Sequence, residues 1–265
     1  MGKLSFHFRD DGSREQTPIV FLHAFPLHGG MWQAQHDALI NVARCISFDV
    51  GGLGRSALPA TPNMLEHVVD DLFTLLDYLH IPSAMLCGLS MGGYVALRAV
   101  ERDAVRVTGL VLANTQPAAD GNEAKLRRAD GIRKLRAEGV VHYVDNFLSA
   151  ALSPHTHEHH PDVIANARKL MLDSGIDGMA SALVALAART DSTESLAQIK
   201  VPTLVVAGEH DLITPVKVMR AMADKIPNVT FEVVPNAGHL SNLEAPDLFN
   251  QLLMEHVQRV VQNAK

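Results

Sequence analysis

Apolar residues along the 265-residue chain fall into two alternating patterns, short strand-like runs and longer segments with helical spacing. The strand-like runs lie at residues 4–8, 19–22, 44–48, 84–87, 107–113, 203–207 and 231–234. Several are continuously apolar, which is typical of strands covered on both faces. The clearest helical face is formed by Leu65, Val68, Val69, Leu72, Leu76 and Leu79. Alternating strands and helices predict an α/β fold with a mostly parallel central sheet flanked by helices.

The alternation stops between residues 115 and 190, where the pattern predicts helices only. These predicted helices lie around 123–138, 140–152, 162–173 and 179–188, with breaks at "SPHTHEHHPD" and "DSGIDG". An insertion after one strand of a parallel sheet lies over the carboxyl ends of the strands, where open α/β sheets bind ligands. We therefore predict a core formed by residues 1–114 and 191–265 and a helical cap formed by 115–190.

One serine stands among glycines at a strand-to-helix turn, in "CGLSMGGYVAL". The segment 88–92 matches G-x-S-x-G, with a strand predicted before it and a helix after it. Such a turn strains the backbone of Ser90 and requires neighbours almost free of side chains. The N-terminus of the following helix would direct N–H groups towards a developing oxyanion. The structural alternative is a glycine turn in which the serine caps a helix.

A serine hydroxyl needs a base to activate it, and the base needs an acid to orient it. Asp211 follows a predicted strand in "TLVVAGEHDLITP", and His239 follows the next one in "FEVVPNAGHLSNLEAP". Asp211 could instead cap the helix that begins near Pro215, and His239 is one of fourteen histidines. The order Ser90, Asp211, His239 favours a catalytic triad, because this order is typical of serine hydrolases with such a turn.

Over nearly its whole length the chain resembles the α/β-hydrolase superfamily, on "HAFP", "FDVGGLGRS", "GLSMGG", "GEHD" and "AGHLSNLEAP". The resemblance implies the α/β-hydrolase fold and an oxyanion hole formed by the backbone N–H groups of Phe25 and Met91. The chain departs from the usual pattern at Ala24, where glycine is common and where alanine makes a positive φ costly. Some relatives keep their acid at the position of Asn114, so Asp211 is expected to carry that role alone.

Within the superfamily the chain is most similar to 3-oxoadipate enol-lactonases and small carboxylesterases. This resemblance implies a serine hydrolase that cleaves a small to medium carboxylic ester or lactone through an acyl-enzyme, with no cofactor. The alternatives are a C–C bond hydrolase, a proline aminopeptidase, a cofactor-free haloperoxidase or a non-catalytic receptor that retains the pocket. The predicted substrate-binding residues are Trp32, Met179, Leu183, Leu186, Ile213 and Leu240. For the first four the alternative is packing, since apolar residues at helical spacing are more often packed than part of a pocket. A carboxylate-bearing lactone would need a basic partner, for which Arg189 is the candidate.

Charge and composition limit the partners and the setting. The net charge is −6 and there is no basic run, so we expect no nucleic acid partner. No apolar run approaches the ~20 residues that span a bilayer, and the N-terminal segment does not resemble a signal peptide. Two cysteines in apolar runs favour a reduced cytoplasmic protein. We interpret "HTHEHH" at 155–160 as a solvated loop and predict no metal site; the expected partner is a small-molecule substrate, with the oligomeric state left open.

Overall fold

A seven-stranded sheet forms the centre of a computed structural model that describes residues 4–61 and 63–263. The strands are β1 (Phe8–Asp11), β2 (Thr17–Leu22), β3 (Ala43–Phe48), β4 (Ala84–Leu89), β5 (Val107–Ala113), β6 (Thr203–Gly208) and β7 (Val229–Val234). Their order in the sheet is β1-β3-β2-β4-β5-β6-β7, and every neighbouring pair is parallel except β1 with β3. The predicted α/β architecture with a mostly parallel sheet is confirmed.

The first strand lies later in the chain than predicted. Residues 4–8 were expected to form it from their apolar side chains, whereas β1 contains three polar residues after Phe8. Those polar side chains are tolerated because the edge strand gives them partners on β3 and on the first helix: Asp10 accepts two hydrogen bonds from Arg44, and Asp11 contacts His36 at 2.7 Å. Hydropathy alone does not reveal these pairs.

Ten helices occur among the described residues. They are α1 (Gln33–Leu39), α2 (Leu65–Tyr78), α3 (Met91–Arg102), α4 (Asn122–Ala151), α5 (Pro154–His159), α6 (Pro161–Leu172), α7 (Ile176–Ala187), α8 (Val216–Ala223), α9 (Ser241–Glu244) and α10 (Pro246–Asn263). The apolar face predicted for α2 is buried from Leu65 to Leu76, while Leu79 follows the helix and is only partly buried. This face packs beside α3 on the sheet.

The segment between β5 and β6 contains α4 to α7. The two helices predicted around 123–138 and 140–152 are present within α4 and are separated by a kink at Gly139, whose backbone is non-helical (φ 86°, ψ 170°). The predicted break at "SPHTHEHHPD" separates α4 from α6, but the short helix α5 forms inside it. Ser153 caps α5 by accepting from the Thr156 N–H, and Pro154 occupies the first turn, where a missing N–H costs nothing. The division of the chain into a core and a cap remains a prediction.

Among the described residues no single helix is long and apolar enough to cross a membrane. Helices α6 and α7 together are long and apolar enough to cross a membrane, but their axes are bent by 93° relative to each other.

Candidate active site

The carboxyl ends of four parallel strands carry the predicted site residues. Ser90 follows β4, Asn114 follows β5, Asp211 lies three residues after β6, and His239 lies five residues after β7. Because β4 to β7 are adjacent and parallel, these loops meet at one edge of the sheet.

The turn at Ser90 is strained and closely packed. Its backbone has φ 54° and ψ −113°, a conformation that costs a non-glycine residue on the order of 1–3 kcal/mol. The Ser90 N–H donates to the Ala113 carbonyl at 2.9 Å, and the Ser90 carbonyl accepts from the Thr115 hydroxyl at 2.8 Å. A Cβ on Gly92 would lie 1.9 Å from the Leu22 carbonyl oxygen. Glycine is therefore needed here so that α3 can begin directly against the end of β2.

His239 lies between the serine and the acid. Its Nε2 atom is 2.8 Å from the Ser90 hydroxyl oxygen, and its Nδ1 atom is 2.8 Å from the Asp211 Oδ2 atom. The His239 and Asp211 side chains are 1% and 0% exposed. With hydrogen on Nδ1 donating to the carboxylate, the Nε2 lone pair faces the serine hydroxyl. This is the geometry a nucleophile, a base and an orienting acid require.

Asp211 accepts hydrogen bonds on both carboxylate oxygens. Oδ1 accepts from the N–H groups of Ile213 and Thr214, at 2.8 and 2.9 Å. Oδ2 accepts from the Thr214 hydroxyl at 2.6 Å and the Asn114 amide at 2.9 Å, in addition to His239. Burial by itself raises the pKa of this carboxyl, but the charge of His239 and the hydrogen bonds outweigh burial and lower the pKa to about 2. Asp211 is ionised at neutral pH.

Asn114 joins the acid loop to the histidine loop. Its amide nitrogen donates to Asp211 and to the Gly238 carbonyl at 3.1 Å, and its amide oxygen accepts from the Ser241 hydroxyl at 2.5 Å. The residue adopts a positive φ of 46° at the end of β5. Sequence reasoning placed Asn114 where some relatives keep an acid but did not predict this bridging role.

The two predicted oxyanion donors are available for hydrogen bonding. Within the part of the chain that the structure describes, the N–H groups of Phe25 and Met91 donate to no protein acceptor. Phe25 lies in the loop that follows β2, and Met91 is the first residue of α3. The end of β2 packs against the start of α3. Their role as an oxyanion hole belongs to the proposal below.

His23 supports the loop of Phe25 from beneath. Its Nδ1 atom contacts the Ala24 carbonyl at 3.0 Å, and its Nε2 atom accepts from the Val50 N–H at 3.0 Å. Burial lowers the pKa of His23 to about 4, so the ring is neutral and its Nδ1 atom carries the hydrogen. Ala24 adopts no positive φ, so alanine in place of the usual glycine introduces no backbone strain.

Residues 17–246 match the model of the alpha/beta hydrolase fold family. The chain belongs to this family. The curated 3-oxoadipate enol-lactonase 1 of Acinetobacter baylyi is 30% identical over 250 residues, which cover 94% of this chain and 92% of that relative. Among solved structures, a thermophilic esterase from Thermogutta terrifontis has a TM-score of 0.92 and 35% identity, with 96% and 93% of the two chains covered. The enol-lactonase from Burkholderia xenovorans LB400 has a TM-score of 0.88 and 30% identity, with 96% of each chain covered. The predicted resemblance and the predicted α/β-hydrolase fold are confirmed.

A cavity of about 470 Å³ lies next to the site of this alpha/beta hydrolase. Two of the predicted substrate-binding residues, Leu183 and Ile213, line it. The other lining residues are Tyr94, Gln116, Asp120, Ala124, Arg127, Arg128, Tyr143 and Leu212. The predicted residues Met179, Leu186 and Leu240 are at most 2% exposed and lie outside this lining. Helical spacing of apolar residues does not distinguish a pocket wall from core packing, and for these three the structure shows packing.

The burial of Trp32 does not support its predicted substrate contact. Its side chain is fully buried, and its ring packs against Phe21 of β2 and Phe249 of α10, with centroids 5.1 and 6.1 Å apart. A large aromatic side chain contributes most to stability where both of its faces are covered. Trp32 is a core residue that joins α10 to the sheet.

The pairing of Arg189 with Asp120 does not support its predicted anion contact either. Its guanidinium is buried and donates to the Asp120 carboxylate at 2.5 Å and to the Ala118 carbonyl at 2.7 Å. It also lies over the Tyr94 ring, 4.2 Å from the centroid. The carboxylate, two backbone carbonyls and the ring already engage most of the guanidinium, which holds Arg189 in the protein interior.

The histidine-rich segment forms α5 rather than a loop. The rings of His155 and His159 stack at 4.5 Å on successive turns. Among residues 4–61 and 63–263, no group of three or more His, Cys, Asp or Glu side chains has an arrangement that could hold a metal ion.

Proposed function

We propose that this protein is a serine hydrolase that cleaves a carboxylic ester or lactone of small to medium size through an acyl-enzyme. The enzyme class, a hydrolase of ester bonds, is confirmed by relatives named enol-lactonases and esterases. The observation that carries the mechanism is the chain of two 2.8 Å contacts from Ser90 through His239 to Asp211.

In the proposed acylation step, His239 Nε2 takes the proton of Ser90 as the hydroxyl oxygen attacks the substrate carbonyl. The resulting oxyanion is placed at the N–H groups of Phe25 and Met91, where the helix α3 dipole adds to their stabilising effect. His239 then donates its proton to the leaving alcohol oxygen. In a lactone this oxygen stays attached to the acyl chain, so the alcohol remains part of the acyl-enzyme.

Deacylation repeats these steps with water as the nucleophile. Water loses a proton to His239 Nε2 and attacks the acyl carbon, and Ser90 leaves with the proton that His239 returns. Asp211 stays ionised throughout, since a carboxyl with a pKa of about 2 does not take the proton of an imidazolium at neutral pH. Its role is to hold the Nδ1 hydrogen and to stabilise the charged ring.

The cavity supports a small to medium acyl group. Tyr94, Tyr143, Leu183 and Ile213 give it an apolar part, where each buried methylene contributes ~0.8 kcal/mol, and a polar part is formed by Gln116, Asp120, Arg127 and Arg128. Arg189 is paired with Asp120, but Arg127 and Arg128 also line the cavity. The proposal therefore covers both neutral and carboxylate-bearing esters and lactones.

The test is turnover of p-nitrophenyl acetate by the wild type and by Ser90→Ala. The variant should lose on the order of 10⁴-fold or more in kcat, because triad members act as a unit. Its circular dichroism spectrum should match that of the wild type, which would show that the fold is unchanged. An organophosphonate should label the wild type once per chain, at Ser90. A variant that keeps most of the esterase rate would refute the mechanism, and an unlabelled, inactive wild type would favour a receptor that only retains the pocket.

A further inference from the structure

Glu244, the last residue of α9, accepts four hydrogen bonds. Its Oε1 atom accepts from the N–H groups of Gly238 and Leu240, at 2.9 and 3.2 Å. Its Oε2 atom accepts from the Ser153 N–H and the Thr156 hydroxyl, both at 2.8 Å. One carboxylate thus joins the two residues that flank His239 to the corner where α4 ends and α5 begins.

The backbone of His239 itself is bonded to the same corner. Its N–H donates to the carbonyl of Ala151, the last residue of α4, at 2.6 Å. Three consecutive N–H groups, from Gly238 to Leu240, are therefore held by acceptors outside their own loop. The packing is tight as well, since a Cβ on Gly238 would lie 2.6 Å from the Ala151 oxygen.

The partners on the α4–α5 corner are fully enclosed. Ser153 and Thr156 are 0% and 1% exposed, and the Ser153 hydroxyl donates to the Asn236 carbonyl in the histidine loop at 2.6 Å. This corner belongs to the segment between β5 and β6, whereas His239 follows β7. The contacts therefore link the predicted cap to the proposed base directly.

We propose that Glu244 is a positioning residue that fixes His239 against Ser90 by tying the histidine loop to the α4–α5 corner. The inference rests on the proposed function, in which His239 is the base. It assigns to Glu244 no contact with the substrate. Where Asp211 orients the imidazole ring, Glu244 sets the backbone from which the ring projects.

A carboxylate is the side chain that suits this position. The Gly238, Leu240 and Ser153 partners are backbone donors, which cannot reverse their role. A glutamine amide would accept on one side only and would turn its NH₂ group towards N–H donors on the other. Buried donors left without an acceptor are costly, so the loop would shift to find other partners.

The experiment compares Glu244→Gln with Glu209→Gln. Glu209 is a matched control, because its carboxylate accepts from the Asn236 N–H at 2.9 Å in the same loop, three residues before His239. Glu244→Gln should lower kcat for p-nitrophenyl acetate by about ten- to hundredfold, since small misplacements of a reacting group cost rates of this size. KM should change by less than about twofold, because Glu244 lies outside the cavity lining. Glu209→Gln should keep both constants.

A second readout follows His239 directly. In the wild type the hydrogen between His239 Nδ1 and Asp211 should give a low-field proton resonance. Glu244→Gln should shift or broaden this resonance, and Glu209→Gln should leave it in place. A loss of stability alone would reduce the amount of active protein without moving the resonance of the folded fraction.

Thr156→Val provides the variant for the case in which Glu244→Gln fails to fold. It removes the hydrogen bond from the Thr156 hydroxyl to Glu244, one of the four that this carboxylate accepts. It should also lower kcat, but by a smaller factor than Glu244→Gln. The proposal is overturned if the folded Glu244→Gln, or Thr156→Val in its place, keeps both the wild-type kcat and the wild-type resonance. Failure of the proposed function would instead show as a wild type that neither turns over the ester nor reacts with the phosphonate at Ser90.

Discussion

Replacing Asp211 by asparagine tests the proposed acid with almost no change in shape. The Asp211 carboxylate accepts five hydrogen bonds and donates none, so an amide in its place must turn its NH₂ group towards some of these donors. If the NH₂ group takes the Oδ1 position, it faces the N–H groups of Ile213 and Thr214. These backbone donors are then unpaired, at a cost of about 1–3 kcal/mol each.

The other orientation is less costly for the fold but damages the chemistry. With the NH₂ group at the Oδ2 position, the Thr214 hydroxyl can rotate to accept from it. The His239 ring can accept as well, but only by moving its hydrogen from Nδ1 to Nε2. That hydrogen then points at the Ser90 oxygen, where a lone pair is needed to take the serine proton. The expected loss in kcat is on the order of 10⁴-fold, the size found when a triad acid is made neutral.

The assay is kcat for p-nitrophenyl acetate, with Asp191→Asn and Asp120→Asn as controls. Asp191 accepts from the N–H groups of Ala119 and Thr193, away from His239. Asp120 is paired with Arg189, so its variant is expected to lose stability more than turnover. Both controls should keep far more of the rate than Asp211→Asn. Equal losses in the three variants would refute the assignment of Asp211.

Three further predictions follow from the site. The pKa of Asp211 is lowered from 3.8 to about 2, so at pH values above 3.8 its ionised form stabilises the fold by about 2 kcal/mol. This contribution is lost as the pH falls towards 2. Urea unfolding should show that the difference in stability between the wild type and Asp211→Asn narrows over that pH range. Gly92→Ala should lower Tm and expression sharply, because its Cβ would overlap the Leu22 carbonyl; a Tm within a degree or two of the wild type would contradict this. EDTA should leave turnover unchanged, whereas inhibition that zinc reverses would point to the histidines at 155–160.

The contacts that join Ser90, His239 and Asp211 could be predicted because each of these residues obeys a local rule. The turn around Ser90 must be rich in glycine, and Asp211 and His239 follow strands in a fixed order. Asn114 and Glu244 obey no such rule. Their partners lie far away in the chain, and a lone amide or a glutamate in a short helix has no pattern that distinguishes it from a surface residue.

The pocket was predicted least well, for a related reason. Trp32 and Leu183 are both large, apolar and placed on helical turns, yet Trp32 packs in the core and Leu183 lines the cavity. Only tertiary packing decides this, because the turn that carries Trp32 lies against β2 and α10 whereas Leu183 of α7 faces the cavity. The pairing of Arg189 could not be predicted either, because its partner Asp120 is far from it in sequence.

His239 is fixed at two separate levels. Its ring is held by Asp211, and its backbone is held by Glu244 and by the Ala151 carbonyl. Both carboxylates act only as hydrogen-bond acceptors, so neither has to carry a proton. Both therefore keep their hydrogen bonds while His239 gains and loses a proton. The proposed base can then gain and lose a proton twice in each catalytic cycle while its position relative to Ser90 stays the same. A proton acceptor 2.8 Å from the strained Ser90 requires this constancy, since geometry that is set before the substrate arrives costs nothing during the reaction.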